Sequence, residues 1–129
     1  MLKGTIPAEI RLLTDMEVFL ARDMQLEGPI ENIFSEWPII KDIRLDHNRL
    51  TGRIPVTFGE ANPMLEVIDL ADNDLTGEIP SSLGSLPGLV TLRLDENNLK
   101  GPIPATLGNL TRIGKLRPTN HFLYRIYLF

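Results

Sequence analysis

Apolar residues recur along this chain with two different spacings inside one unit of about 24 residues. In the clearest unit, residues 65–88, Ile68 and Leu70 are two residues apart, as on one face of a β-strand. Leu83 and Leu86 are three residues apart, as on a tight helical turn. Each unit is therefore predicted to contain a strand, a turn and a short helical return.

The same unit repeats along nearly the whole chain. One glycine marks each copy, and successive glycines are separated by 24, 24, 25 and 24 residues. A leucine two residues before each glycine and an isoleucine two residues after it keep the same phase. A fixed period of this length predicts a solenoid of stacked repeats. The marker glycines are Gly4, Gly28, Gly52, Gly77 and Gly101.

The period divides residues 1–129 into one domain of about five repeats. The predicted units are a half repeat at 2–15, full repeats at 16–39, 40–64, 65–88 and 89–112, and a degenerate terminal repeat at 113–129. Repeat 40–64 has one additional residue, which we expect to bulge outward near Glu60 to Pro63. Pro118 lies at an inward strand position, so the last strand is expected to end early or lie at the sheet edge.

The consensus of these units is LxxLxLxxNxLxGxIPxxLxxL, which resembles the leucine-rich repeat family and its plant-type LxGxIP subclass. The resemblance implies an α/β solenoid, a right-handed arc with a parallel concave sheet and short 3₁₀ or helical returns. Repeat 16–39 departs from the pattern, with Met24 in the asparagine position and Glu31 in the proline position. The predicted strands are 18–22, 42–46, 67–71, 91–95 and 115–117.

Two sets of residues have structural interpretations inside the repeat. The asparagines Asn48, Asn73 and Asn97 recur in phase, and their amides can donate to and accept from the backbone that leaves each strand. We therefore interpret them as a structural asparagine ladder. Trp37 occupies the position of Leu86 and is predicted to fill the core rather than to stack on a ligand.

Composition excludes several classes of function. The net charge of −4 argues against general nucleic-acid binding, which needs a basic surface to neutralise phosphates. There is no cysteine, and His47 and His121 lie in different repeats, so we expect no metal site and no cofactor. No apolar run is long enough to insert this segment into a membrane. Carboxylates on an open strand face lack the pocket that splits pKa values, so we expect no enzyme activity.

Outward-facing strand positions are the candidates for binding, because repeat proteins bind through the surface that their stacked units share. Acidic residues outnumber basic ones there, which favours a partly basic protein or peptide. The alternative is a solvated face whose charges pair across strands. The candidate partner-binding residues, named here the concave strip, are Arg44, Asp46, His47, Asp69, Asp72, Arg93, Asp95 and Glu96.

The family resemblance implies a recognition module of a cell-surface or secreted receptor, similar to the ectodomains of plant receptor-like kinases. The alternative is a soluble enzyme inhibitor, similar to polygalacturonase-inhibiting proteins, or an intracellular scaffold. Family members imply an extracellular location, with a cytoplasmic product as the alternative.

Two further expectations concern the ends of the chain and its modification. Met1 falls inside a repeat, so we expect a fragment that lacks capping repeats and associates end to end. The triplet Asn109-Leu110-Thr111 is a candidate glycosylation site, with Asn109 as the acceptor.

Overall fold

The computed structural model describes residues 3–113. The predicted strand at 115–117, Pro118 and His121 lie outside the described residues. Short strands alternate along the chain between two sides of the solenoid. They are β1 (Gly4–Thr5), β2 (Val18–Leu20), β3 (Leu26–Pro29), β4 (Asp42–Arg44), β5 (Arg49–Thr51), β6 (Val67–Asp69), β7 (Thr76–Gly77), β8 (Thr91–Arg93) and β9 (Asn98–Leu99).

The concave sheet has the strand order β2-β4-β6-β8, and every pair is parallel. Equivalent repeat positions pair directly, as in the register of Phe19 with Ile43, Ile43 with Ile68, and Ile68 with Leu92. Within residues 3–113, the returns contain three 3₁₀ helices, at Ala8–Leu12, Ser81–Ser85 and Ala105–Asn109. The predicted parallel solenoid with short 3₁₀ returns is thus confirmed.

A second set of parallel strands flanks the concave sheet and did not follow from the sequence pattern. The strands β1, β3 and β5 form one sheet and β7 and β9 form another, with a single bridge between Arg53 and Thr76 joining the two sets. Each of these strands overlaps the Leu-x-Gly segment of its repeat. Because each is only two to four residues long, its alternation is too short to be recognised in sequence.

The concave strands are two residues shorter than predicted at their carboxyl ends. Regular pairing in β4 ends at Arg44 rather than at Asp46. Backbone bonds nevertheless continue beyond it, because the Leu45 and His47 amides donate to the carbonyls of Asp69 and Ala71 at 2.8 and 3.0 Å. The spacing between repeats is therefore maintained through the turn.

The core lies between the concave strands and the returns. Ile43, Ile68 and Leu92 stack in one row and are at most 1% exposed. Each such side chain stabilises the fold by about 1.5–3 kcal/mol before entropy is subtracted. Trp37 is fully buried and packs edge-on against Phe34, with ring centroids 5.4 Å apart, while its indole N–H donates to the Ile10 carbonyl at 3.2 Å. It is a core residue, as predicted.

The ladder asparagines link the turn of their own repeat to the preceding repeat. The Asn73 amide nitrogen donates to the carbonyls of Leu45, Leu70 and Ala71 at 3.0 to 3.2 Å. Its side-chain oxygen accepts from the Leu50 amide at 3.0 Å. Buried backbone groups that would otherwise be unpaired are satisfied in this way.

Repeat 16–39 departs from the consensus but remains connected to its neighbour. Met24 has no side-chain amide, and its backbone N–H instead donates to the Asn48 side-chain oxygen at 3.1 Å. The Glu31 carboxylate, in the proline position, accepts from the Arg53 backbone N–H at 2.8 Å. The two departures therefore leave this repeat hydrogen-bonded to repeat 40–64.

The segment from Glu60 to Pro63, where the additional residue of repeat 40–64 is expected to bulge outward, includes one buried residue, Asn62. This side chain is fully buried, and its amide nitrogen donates to the carbonyls of Phe34 and Trp37 at 2.7 and 3.0 Å. Glu60 and Pro63 are exposed. Gly59, three residues before Asn62, has a positive φ of 107°.

Replacing Asn73 with leucine should lower the free energy of unfolding by about 1–3 kcal/mol, although the new side chain is apolar. Four hydrogen bonds are lost in a buried turn. Urea denaturation measures the change, with Asp74→Leu at the neighbouring exposed position as the control. An unchanged midpoint for Asn73→Leu would show that the ladder does not stabilise the turn.

Replacing Gly59 with alanine should cost at least about 1 kcal/mol, because its φ is unfavourable for any residue with a Cβ. The added Cβ would also lie 2.3 Å from the Ser82 carbonyl oxygen. Gly108→Ala is the matched control, since a Cβ there meets no described atom within 4 Å. Equal thermal midpoints for the two variants would contradict this account of the turn.

Candidate partner-binding surface

The concave strip contains carboxylates of two kinds, which the sequence pattern did not separate. Asp46, Asp69 and Asp95 are only 0%, 6% and 4% exposed. These side chains lie on the concave side, as strand alternation predicts, but they are covered rather than exposed to solvent. Asp72 and Glu96 are exposed, as expected. Only the second kind can meet a partner without rearrangement.

Arginine side chains cover the buried carboxylates. Arg22 contacts Asp46, with its Nε and one terminal nitrogen 3.0 and 2.9 Å from Oδ2. Arg93 bridges Asp69 and Asp95, at 3.3 Å from each carboxylate. Strand alternation correctly places these acids on the concave side. It does not reveal that a long side chain from the same or a neighbouring strand lies over them.

Burial has an electrostatic consequence at Asp69. Removal from water raises the pKa of this carboxyl, while the positive charge of Arg93 and the Ala71 backbone N–H act in the opposite direction. Asp95 has one carboxylate oxygen without a hydrogen-bond partner among residues 3–113. Burial of Asp69 and Asp95 is therefore electrostatically costly, and Arg93 offsets part of that cost by pairing with both carboxylates.

The exposed part of the concave strip continues along the turn that follows each strand. Four successive repeats place a polar residue there in the left-handed region, with φ values of 51°, 57°, 52° and 54°. Residues other than glycine adopt this conformation uncommonly. We name this row the acidic edge, and its members are Asp23, His47, Asp72 and Glu96.

His47 and Asp72 are joined across two repeats within the acidic edge. His47 Nδ1 lies 2.6 Å from an Asp72 carboxylate oxygen, and Nε2 lies 3.7 Å from Asp46. The hydrogen bond to Asp72 raises the pKa of His47, and the charges of Asp72, Asp46 and Asp23 add to that effect. An open cavity of about 550 Å³ lies beside the pair. It is lined by Asp23, Gln25, His47, Asn48, Arg49 and Asp72.

Arg44 does not pair with the neighbouring strands. Its guanidinium forms two hydrogen bonds with Asp42 of the same strand, at 2.9 and 3.0 Å. Of Arg44, Asp69 and Arg93, which are paired in register, only Asp69 and Arg93 form an ion pair across strands. The contacting residues Arg22, Asp23 and Asp42 were not among the predicted site residues. Extending each predicted row by one repeat would have included the first two.

Other chemistry finds little support in this part of the chain. Within residues 3–113, no group of three histidine or acidic side chains is arranged to hold a metal ion. The described helices are also all too short to cross a membrane. Asn109 lies at the end of a 3₁₀ helix in the return, away from the concave strands.

Comparison with known proteins identifies the architecture. The family model for the leucine rich repeat matches residues 38–99. Solved plant structures built from this repeat superpose on most of the chain. The chain is a solenoid of leucine-rich repeats. The superposed structures include plant receptors, which agrees with the LxGxIP form of the leucine-rich repeat found here.

Three solved structures illustrate the range of similar proteins. The BIR3–SERK2 complex from Arabidopsis thaliana matches with 33% identity and a TM-score of 0.76, over 83% of this chain and 57% of that chain. The plant peptide hormone receptor RGFR1 in complex with RGF2 matches with 32% identity and a TM-score of 0.81, over 85% and 18%. A plant ice-binding protein matches with 34% identity and a TM-score of 0.80, over 84% and 35%.

These matches limit which functional properties of the similar proteins can be transferred to this chain. The leucine-rich repeats described here span 57%, 18% and 35% of the three matched chains, so each relative contains much that this chain does not. A search of curated protein sequences returns no match. This chain is about as similar in sequence to a peptide hormone receptor as to an ice-binding protein. Its function therefore has to be argued from its own surface.

The His47–Asp72 pair should stabilise the fold most at low pH. Because the folded-state pKa of His47 is raised, its contribution is fully present below the unfolded value of about 6.5 and is lost as pH rises through the folded value. The difference in urea midpoint between the wild type and His47→Gln should therefore be largest below about pH 6.5 and should shrink as the pH rises above it.

An NMR titration separates this effect from general charge effects. The His47 resonance is the one that disappears in the His47→Gln variant, which distinguishes it from that of His121. The Asp72→Asn variant should lower the His47 pKa. Glu66→Gln, at an exposed position outside the pair, is the control. A His47 pKa that does not change in Asp72→Asn would show that the hydrogen bond does not form in solution.

Proposed function

We propose that this leucine-rich repeat segment is a non-catalytic recognition module that binds a partly basic protein or peptide through its concave strip and acidic edge. The supporting observation is the division of charge on that side. The arginines Arg22 and Arg93 are already neutralised by buried carboxylates, whereas the exposed acids of the acidic edge remain available.

The expected charge of the partner follows from this separation of buried ion pairs from exposed acids. Asp23, Asp72 and Glu96 are exposed, and His47 is the only basic member of the same row. The potential at the acidic edge should therefore attract cations and increase association rates at low ionic strength. Arg44 is bound to Asp42, so it does not offset the acidic edge.

The absence of an enclosed pocket among the strip residues supports a binding role over catalysis. The cavity beside His47 and Asp72 is open, and the strip carboxylates of residues 3–113 are either covered by arginine or exposed to solvent. A catalytic acid or base needs an apolar, enclosed environment to reach a useful pKa. The surface instead resembles an interface that recognises an extended segment.

We further propose an extracellular location, as part of a longer receptor-like protein. RGFR1, with which this chain shares the fold over 85% of its length, is a plant peptide hormone receptor in complex with RGF2. The BIR3–SERK2 structure is a complex of two proteins. Both support a protein or peptide partner for this segment.

The binding test uses a double charge reversal at exposed positions, Asp72→Lys with Glu96→Lys. Asp95 is unsuitable for such a test because it is buried beside Arg93. The probe is a basic peptide selected from a displayed random library on the immobilised 129-residue chain. The double variant should bind it about tenfold more weakly at low salt, since two favourable contacts become repulsive.

The matched control is Glu27→Lys with Glu78→Lys, which makes the same charge change on exposed positions outside the concave sheet. Calorimetry should give nearly the wild-type affinity for this control, and wild-type binding should weaken as salt rises. Equal losses in both double variants would assign binding to net charge alone. A library that yields no basic peptide would contradict the proposal itself.

A further inference from the structure

Two large apolar side chains are exposed on the concave sheet, in its first described strand. Val18 and Leu20 of β2 are 51% and 54% exposed, whereas Phe19 between them packs against the core. Strand alternation directs both exposed side chains to the concave surface. We name Val18 and Leu20 the apolar patch. The other exposed large apolar side chains of residues 3–113 lie outside the concave strands, and they are Leu12, Leu13, Val56 and Met64.

The charged side chains beside the apolar patch are already paired with one another. Leu20 is in register with Arg44, whose guanidinium forms two hydrogen bonds with Asp42, at 2.9 and 3.0 Å. Arg22, two residues after Leu20, pairs with the buried Asp46. Removing an unpaired charge from water would be costly. Because these charges are paired, an apolar side chain of a partner can cover the patch without that cost.

The apolar patch and the acidic edge lie on the same side of the solenoid. The register of the concave sheet runs from Leu20 through Arg44 to Asp69, and Asp72 of the acidic edge follows Asp69 three residues later. With about 4.8 Å between neighbouring strands and about 3.3 Å per residue, Asp72 lies roughly 14 Å from Leu20. An extended segment that crosses the sheet obliquely covers this distance in about four or five residues.

We propose that the concave side selects an extended segment with two parts, an apolar side chain on Val18 and Leu20 and a basic side chain at Asp72, about four or five residues apart. This inference rests on the proposed function and specifies the partner further. The basic side chain supplies long-range attraction, whereas the apolar side chain removes the patch from water. A basic segment without the apolar side chain therefore binds more weakly.

The first experiment measures binding of the library-selected basic peptide to Leu20→Ser by calorimetry. Affinity should fall about tenfold, because the apolar contact is lost. The salt dependence of binding should stay as in the wild type, since no charged contact is removed. Val18→Thr, which keeps the shape of the side chain, is the second variant and should also weaken binding. Thermal denaturation verifies that each variant is folded at the temperature of the measurement.

The matched control is Val56→Thr. Val56 is 70% exposed but lies outside the concave sheet, so the same loss of apolar surface there should leave the affinity at its wild-type value. Equal losses in Val18→Thr and Val56→Thr would show that the position of the apolar side chain is irrelevant and would overturn the proposal.

A peptide series tests the spacing. Copies of the selected peptide carry shorter or longer glycine and serine spacers between the apolar and the basic residue. The wild type should bind most tightly at a spacing of about four or five residues, and Leu20→Ser should lose this preference. Replacing the apolar residue of the peptide with serine should weaken binding to the wild type much more than binding to Leu20→Ser.

The outcomes separate this inference from the proposed function. Equal affinity of the wild type and Leu20→Ser for the selected peptide, or an affinity that does not depend on spacing, would overturn the two-part segment. The charge-reversal result at Asp72 and Glu96 would still stand in that case. Failure of the proposed function has a different signature, because it appears as a library that yields no basic peptide.

Discussion

The hydrogen bonds of the asparagine side chains are the constraint on which the rest of the solenoid depends. A concave strand of three residues cannot satisfy its own backbone at the turn that follows it. Asn48, Asn73 and Asn97 supply donors and an acceptor at that point and reach into the preceding repeat. The apolar rows stabilise the stack, but these bonds fix where each chain segment turns.

Much of this architecture could be predicted because it depends on residues that recur in phase. Ile68 and Leu70 revealed the strand, and the spacing of Gly52 and Gly77 revealed the repeat. The repeat period shows that repeat 40–64 has one additional residue, but it does not show where in the repeat that residue lies. Gly59 recurs in phase as Gly84 and Gly108, but among these three it alone has a positive φ, and Asn62 is buried three residues after it. The recurring glycine therefore does not predict this turn.

The candidate surface was less predictable for a different physical reason. Alternation along a strand determines which side a residue faces, and Asp46 and Asp95 are on the predicted side. Exposure depends as well on the length and direction of neighbouring side chains. Arg22 and Arg93 convert three apparently solvated acids into buried ion pairs, so the charge available to a partner shifts to the acidic edge.

The direction of the asparagine bonds gives the solenoid a polarity along its axis. The amides of Leu26, Leu50 and Leu75 each donate to an asparagine of the following repeat, so each repeat is protected by its carboxyl-side neighbour. Loss of a terminal repeat at that side deprives the next one of its acceptor. Local unfolding should therefore advance from the carboxyl end, and amide hydrogen exchange at these three leucines should become slower towards Leu26.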